Sequence, residues 1–221
     1  MTTPEDIASW RRMQRADLLA RRMAASQADR SRWNEAITEL IVASFPLLQG
    51  MTVGFYWPFK AEFDPRFAIR RLRDGGARAA LPVVVQKRAP LEFREWWPGV
   101  RTAPGVFDLP VPQDTAVLQP DALLMPPVGF DASAYRLGYG GGYFDRTLAA
   151  RTPQPLKIGV AFELSRTPTI RPQAHDIPLD FIVTETGVHC VGAHGLAALA
   201  DPSQVNARAT AVVLARAREE G

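Results

Sequence analysis

The sequence predicts an α/β fold of three layers: a mainly parallel, Rossmann-like open sheet flanked by helices. Two observations predict it. Residues 51–57, a short helix opened by Asp64-Pro65 and closed by Gly75-Gly76, and the apolar, β-branched residues 78–85 form a strand–helix–strand unit, the building block of a parallel sheet. Farther on, the apolar run Ala122-Leu123-Leu124-Met125 leads towards Arg136-Leu137-Gly138-Tyr139-Gly140-Gly141-Gly142-Tyr143-Phe144-Asp145-Arg146 and a further helix. Four of those eleven residues are glycine.

Composition limits the choices. The 221 residues are 47% hydrophobic, enough for one good core or two lobes. The single Cys190 excludes a disulfide framework and a cysteine zinc site. Residues 1–9 lack an apolar leader core, and no apolar run approaches membrane-spanning length. A soluble cytoplasmic protein with no membrane partner is expected. The net charge of +3 does not by itself call for nucleic acid, and it suits an anionic small molecule.

Taken in order, Thr3-Pro4-Glu5-Asp6 reads as a helix start: a cap, proline in the first turn, then acids. Ile7, Trp10, Met13, Leu18, Leu19 and Met23 follow as its apolar face. Arg11, Arg15 and Arg22 stand at i, i+4 and i+11, within roughly 40° of one another at about 100° per residue. Read alone, this stripe is an ordinary solvated basic face. A second helix starts near residues 26–31 and runs to Phe45, with Ile37, Leu40 and Ile41 as core contacts. After the first strand, the connection Pro58-Phe59-Lys60-Ala61-Glu62-Phe63 lies at a strand's carboxyl end, where such sheets place ligands. Trp57 and Phe59 are read equally as pocket rim or as core.

Residues 91–97 partly alternate and suggest an exposed or edge strand. Prolines 98, 104, 110, 112 and 120 mark an extended surface connection. Residues 122–125 read as a central strand, residues 144–150 as a helix, residues 157–162 as a strand, and 181–183 as the last strand. Residues 202–219 form an alanine-rich helix with a weak apolar face, Val205, Ala209, Val212 and Val213, interrupted by Arg216. His189, Cys190 and His194 make a poor metal cluster, because no second ligand pair accompanies them.

The glycine stretch meets neither standard phosphate pattern. A G-x-x-x-x-G-K-[ST] loop requires Lys then Ser or Thr after its last glycine, and Tyr143 and Phe144 follow instead. A G-x-G-x-x-G fingerprint from Gly138 requires glycine where Tyr143 stands. The glycines alone are read equally as a tight turn or a phosphate cradle. Arg136, Asp145 and Arg146 favour the cradle, since a metal–polyphosphate site needs charges of both signs.

In order along the chain, these motifs resemble the 5-formyltetrahydrofolate cyclo-ligase family, also called methenyltetrahydrofolate synthetase. The resemblance spans roughly residues 10–185. It rests most on Gly129-Phe130-Asp131 with the stretch from Arg136 to Arg146, close to the family's F-D-x-x-G-x-R-L-G-Y-G-G-G-Y-Y-D-R. The arginine stripe, Tyr56-x-Pro58-x-x-x-Glu62, Leu81-Pro82, His175-Asp176-x-Pro178-x-Asp180 and Val183-Thr184-Glu185 support it.

The resemblance implies ATP- and Mg²⁺-dependent conversion of 5-formyltetrahydrofolate to 5,10-methenyltetrahydrofolate. The formyl oxygen takes the γ-phosphoryl group, N10 attacks the activated carbon, and phosphate leaves. Arg11 and Arg15 would reach the nucleotide phosphates. Arg136, Leu137, Gly138, Tyr139, Gly140, Gly141, Gly142, Tyr143 and Phe144 would form the ATP loop, with Arg136 and Tyr143 as catalytic candidates. Trp57 and Glu62, with Tyr139, Gly140, Gly141, Gly142 and Tyr143, would contact the folate. Asp145 and Asp176 would hold Mg²⁺. Partners would be these two small molecules and no nucleic acid, with the protein a monomer or weak homodimer. Residues 1–187 would form the single α/β domain and 188–221 a C-terminal extension with a short helix.

The chain departs from the family pattern at Arg11 (commonly lysine), Gln14 (apolar), Val111 (glutamate), Ala134 (glycine), Phe144 (tyrosine) and Ser165 (glutamine). Two other readings stand beside the enzyme: a non-catalytic nucleotide- or folate-binding paralogue, and an RNA-associated protein using the arginine helix.

Overall fold

The computed structural model describes residues 4–192 and 195–218. Helix α1 (Pro4–Ala24) precedes α2 (Gln27–Ser44), whose start is fixed by Ser26 Oγ accepting from Asp29 N–H at 3.0 Å. The expected Thr3 cap of α1 lies outside the described residues. Strand β1 (Thr52–Gly54), helix α3 (Arg66–Asp74) and strand β2 (Arg78–Val83) realise the predicted strand–helix–strand unit, with β1 and β2 parallel.

Strand β3 (Glu92–Trp96) is followed by β4 (Thr102–Pro104), β5 (Pro110–Pro112) and β6 (Val117–Leu118). The expected edge strand is therefore one place inside the edge, because β6 pairs along it. The proline-punctuated connection is not simply extended: β4 and β5 pair antiparallel, and proline tolerates such short, isolated ladders. Central strand β7 (Ala122–Met125) is wholly buried. It is followed by a small antiparallel hairpin, β8 (Gly129–Phe130) and β9 (Arg136–Leu137), which the sequence reading missed. Then come α4 (Tyr143–Ala149), β10 (Leu156–Val160) and β11 (Phe181–Thr184).

Strand β11 is not the last. Strands β12 (Gly187–Gly192) and β13 (Gly195–Leu199) add to it antiparallel, and α5 (Pro202–Arg218) closes the described chain. The main sheet runs β13-β12-β11-β10-β7-β1-β2-β3-β6. Its parallel centre has the spatial order β2-β1-β7-β10-β11. The expected boundary between 187 and 188 falls inside β12, which pairs with β11 in the same sheet.

Alternation along β7 builds the layers. Leu124 faces a core with Ile37 and Ile41 of α2, Ile69 and Leu72 of α3, and Val205 and Ala209 of α5. Leu123 and Met125 face the opposite side, with Phe130, Ala134 and Leu148 of α4. Helix α1 packs outside this second layer through Leu18, against Val128, Leu137 and Ile170. The three-layer, mainly parallel fold is as predicted. No helix among the described residues is long and apolar enough to cross a membrane.

The expected apolar face of α1 is corrected by the structure. Met13 is 60% and Met23 55% exposed, whereas Arg11 and Arg22 are buried. The stripe is not a solvated face. It is buried because the loops beneath it present backbone carbonyls, which a guanidinium can satisfy and an apolar side chain cannot.

Candidate functional site

A cavity of about 490 Å³ opens where the parallel order changes direction, beyond the carboxyl ends of β1 and β7. Open α/β sheets bind ligands at such a switch point. One wall is the segment after β1, with Tyr56, Trp57, Phe59, Lys60 and Glu62. A second is the glycine loop with Arg136, Gly138, Tyr139, Gly141, Gly142, Tyr143, Phe144 and Asp145. The β4–β5 hairpin supplies a third wall, all apolar: Val106, Phe107, Leu109, Pro110 and Val111.

Not every expected site residue lines this space. Leu137 turns away into the cluster under α1. Gly140 faces Arg15: a Cβ there would lie 3.5 Å from the Arg15 Cζ, and φ is +94°. Gly142 has φ +63°, and its Cβ would come 2.9 Å from Arg146 Nη1. A side chain at either position would be strained, and at Gly142 it would also crowd Arg146. Arg146 also donates to Gly141 O and sits over the Tyr143 ring, latching the loop to α4.

The three arginines of α1 do different things. Arg15 Nε donates to Gly138 O at 2.7 Å, and its terminal nitrogens have no hydrogen-bond partner among the described residues. Arg11 is already engaged, by Ile170 O at 3.1 Å, Arg171 O at 2.9 Å and the Asp176 carboxylate. Arg22 reaches Tyr139 and Glu62.

Arg136 is buried, donating to Ile177 O at 2.7 Å and to Asp145 Oδ1 at 2.8 Å. Burial lowers its pKa, while Asp145 and Asp176 work to raise it. Asp145 Oδ1 also accepts from Ile177 N–H at 3.2 Å, and Oδ2 accepts nothing among the described residues. Burial works against the Asp176 carboxylate, yet Arg11 and the Gln173 N–H hold it below the usual range. Both Asp176 oxygens are occupied by Arg11, with Gln173 N–H sharing one of them.

A hard cation wants oxygen ligands and keeps several waters. The open Oδ2 of Asp145, at the cavity wall, fits that requirement directly. Asp176 fits only by giving up part of its contact with Arg11.

Glu62 is buried beside Tyr56. Its Oε1 accepts from Tyr139 Oη at 2.7 Å and its Oε2 from Phe59 N–H at 2.8 Å. Burial raises its pKa to about 7, against the pull of Arg22, Tyr139 and the Phe59 N–H. The tyrosine hydroxyl ties the glycine loop to the segment after β1, so the two walls share one hydrogen-bonded network. Trp57 lines the rim beneath the Arg66 guanidinium, 4.4 Å from its ring centre.

The family model for 5-formyltetrahydrofolate cyclo-ligases matches residues 7–185. The chain belongs to the 5-formyltetrahydrofolate cyclo-ligase family. It is 30% identical over 178 residues to the cyclo-ligase of Mycoplasma pneumoniae, covering 77% of this chain and 96% of that one. With the cyclo-ligase of Mycolicibacterium smegmatis it shares 31% over 180 residues, 77% and 91% of the two chains. The solved 5,10-methenyltetrahydrofolate synthetase of Aquifex aeolicus superposes with a TM-score of 0.70 at 28% identity, over 80% of this chain and 91% of that chain.

Membership gives the departures a place in the cyclo-ligase framework. Val111 and Phe144 line the cavity, so two positions where the family carries polar groups are apolar here. Ser165 is buried in a short turn and does not line it. Ala134 has φ +59°, which explains why glycine is usual at that place. Its buried methyl offsets about 0.8 kcal/mol of a left-handed penalty of about 1–2 kcal/mol, which leaves a small net cost. Phe59, read equally as pocket rim or core, lines the cavity. Arg22 and the β4–β5 hairpin were missed as site residues, and of these Arg22 had a sequence signal, its place in the arginine stripe.

Proposed function

We propose that the protein converts 5-formyltetrahydrofolate to 5,10-methenyltetrahydrofolate at the expense of ATP, with Mg²⁺. One observation carries this reading: a single cavity whose walls are a glycine loop flanked by arginines and carboxylates, and a buried carboxylate joined to that loop by Tyr139. The first suits a polyphosphate, the second a heterocycle rich in N–H donors.

The chain's own residues supply alignment and charge. Arg15, whose terminal nitrogens have no hydrogen-bond partner among the described residues, and Arg136 face the phosphates, and the glycine backbone lets them approach closely. Arg11 holds Asp176 and the loop 170–176 beside them. Glu62 accepts from the pterin N–H groups, and Trp57 borders the rings. Tyr143 lies at the glycine loop, where the two substrates meet. The formyl oxygen displaces ADP from the γ-phosphorus, N10 attacks the activated carbon and loses its proton, and phosphate leaves as the ring closes. The apolar hairpin and Phe144 keep water from the activated carbon. Asp145, with Asp176, would hold Mg²⁺, whose contribution is neutralisation of phosphate charge.

The test is direct. Methenyltetrahydrofolate has a near-ultraviolet absorbance, which is expected to grow only when ATP, Mg²⁺ and 5-formyltetrahydrofolate are all present. Folded protein that makes no product under those conditions would sink the reading.

A further inference from the structure

Arg22 lines no part of the cavity, yet it is 3% exposed and bonded on several sides. Its Nε donates to Lys60 O at 3.0 Å, its Nη1 to Pro127 O at 3.5 Å and its Nη2 to Tyr139 Oη at 2.6 Å. The same Nη2 stands 3.6 Å from Glu62 Oε1, beyond a hydrogen bond but within an ion pair. These contacts join α1 to the ends of β1 and β7 and to the glycine loop.

Two details give the arrangement a direction. Arginine can only donate, so Tyr139 Oη must accept from it and turns its one proton to Glu62. Glu62 is thereby held as an acceptor, with a remaining lone pair on each oxygen for a ligand. Lys60 and Ala61, just before Glu62, have φ of +48° and +56°, a disfavoured conformation for residues with side chains. Arg22 grips the carbonyl of the first of them, so it fixes the backbone that presents Glu62 as well as the carboxylate.

We infer that Arg22 is a positioning residue for the folate end of the site, holding Glu62 and Tyr139 in one orientation across the cavity wall. The inference rests on the proposed folate role of Glu62. The charged and titratable groups facing that carboxylate are Arg22 from α1, Tyr139 from the glycine loop and Tyr56 from the end of β1. Arg22 is the single cation among them, so its loss makes Glu62 harder to ionise.

The experiment compares wild type, Arg22→Gln and Arg22→Lys. In Arg22→Gln, the KM for 5-formyltetrahydrofolate is expected to rise roughly tenfold or more. The KM for ATP should stay within about twofold. The acid limb of kcat/KM for folate should move to higher pH. Arg22→Lys keeps the charge but not the fork of donors, so its folate KM should rise while its acid limb stays near that of wild type. If Arg22→Gln does not fold, Arg22→Lys decides by that pair of readings. A folate KM unchanged in a folded variant, or a rise shared equally with ATP, would overturn the inference.

Titration of the Glu62 carboxyl by carbon-13 NMR on ligand-free protein separates this from the proposed function. A higher Glu62 pKa in Arg22→Gln supports the electrostatic part even if wild type makes no product, and an unchanged one overturns it.

Discussion

At the residue scale the sharpest conflict lies at Glu62, where burial pushes the carboxyl up to about 7 and Arg22, Tyr139 and the Phe59 N–H pull it back. The pull of Arg22 is already contained in that value, so the site still disfavours the charge. The folded state holds the proton more tightly than the unfolded chain. Stability therefore falls as pH rises from about 4.5 towards 7 and does not recover above it. Keeping Glu62 ionised at pH 8 costs on the order of 3 kcal/mol. Glu62→Gln removes that charge at nearly constant shape. Its Tm is expected to exceed wild type at pH 8, with the gap narrowing towards pH 5. Its folate KM is expected to rise roughly tenfold, with a smaller effect on ATP. A lower Tm at pH 8, or an effect confined to ATP, would contradict the placement of this carboxylate. Such an opposition between stability and function is common where a binding site needs a buried charge.

At the element scale, α1 is the helix whose role was least legible in the sequence. Its arginine spacing was visible, but a stripe of arginine reads as solvent-facing until the partners are known. Most of those partners are backbone carbonyls, of Ile170, Arg171, Gly138, Lys60 and Pro127, scattered over more than 100 residues and carrying no residue-type signal. The glycine loop was legible for the opposite reason: positive φ at Gly140 and Gly142 demands a residue type. The β8–β9 hairpin was hidden because two-residue strands leave no alternation to read. Likewise β4, β5 and β6 lie among prolines that mark interruption more loudly than pairing. The Arg11–Asp176 contact separates two tasks for the site's carboxylates. Asp176→Asn should lower Tm by several degrees and raise the KM for ATP, because it unpins α1 from the loop that follows Ile170. Asp145→Asn should chiefly raise the Mg²⁺ concentration needed for half-maximal turnover, with a smaller change in Tm. Magnesium titrations and melting curves of both variants distinguish these outcomes, and identical behaviour of the two would remove the division of labour.

At the scale of the whole molecule, the sheet order decides where chemistry happens. β1 turns one way to β2 and β7 the other way to β10, so the segments leaving β1 and β7 diverge and leave the cavity between them. The strand–helix–strand unit made the parallel centre readable, whereas the antiparallel additions β12 and β13 followed what looked like the final strand. Those additions and α5 lie beyond the family match, which ends at 185. They are nonetheless built into the main core. Val205 and Ala209 of α5 are fully buried with Ile37, Ile41 and Phe181. Arg216, which interrupts the helix's apolar face, explains itself by reaching Pro155 O at 2.8 Å and both oxygens of Asp180 at 2.9 and 2.7 Å. Asp180 in turn accepts from the Lys157 backbone N–H at 2.8 Å, so α5 is clamped to β10 and to the residue before β11. This geometry predicts a purely structural contribution from the extension. Val205→Ala should cost about 2 kcal/mol through the cavity it leaves, a fall in Tm of about 4–8 °C for a chain of this size. Val205 does not line the substrate cavity, so KM for ATP and for folate should both stay within about twofold of wild type. A normal Tm with altered KM would instead mean that α5 acts on the site.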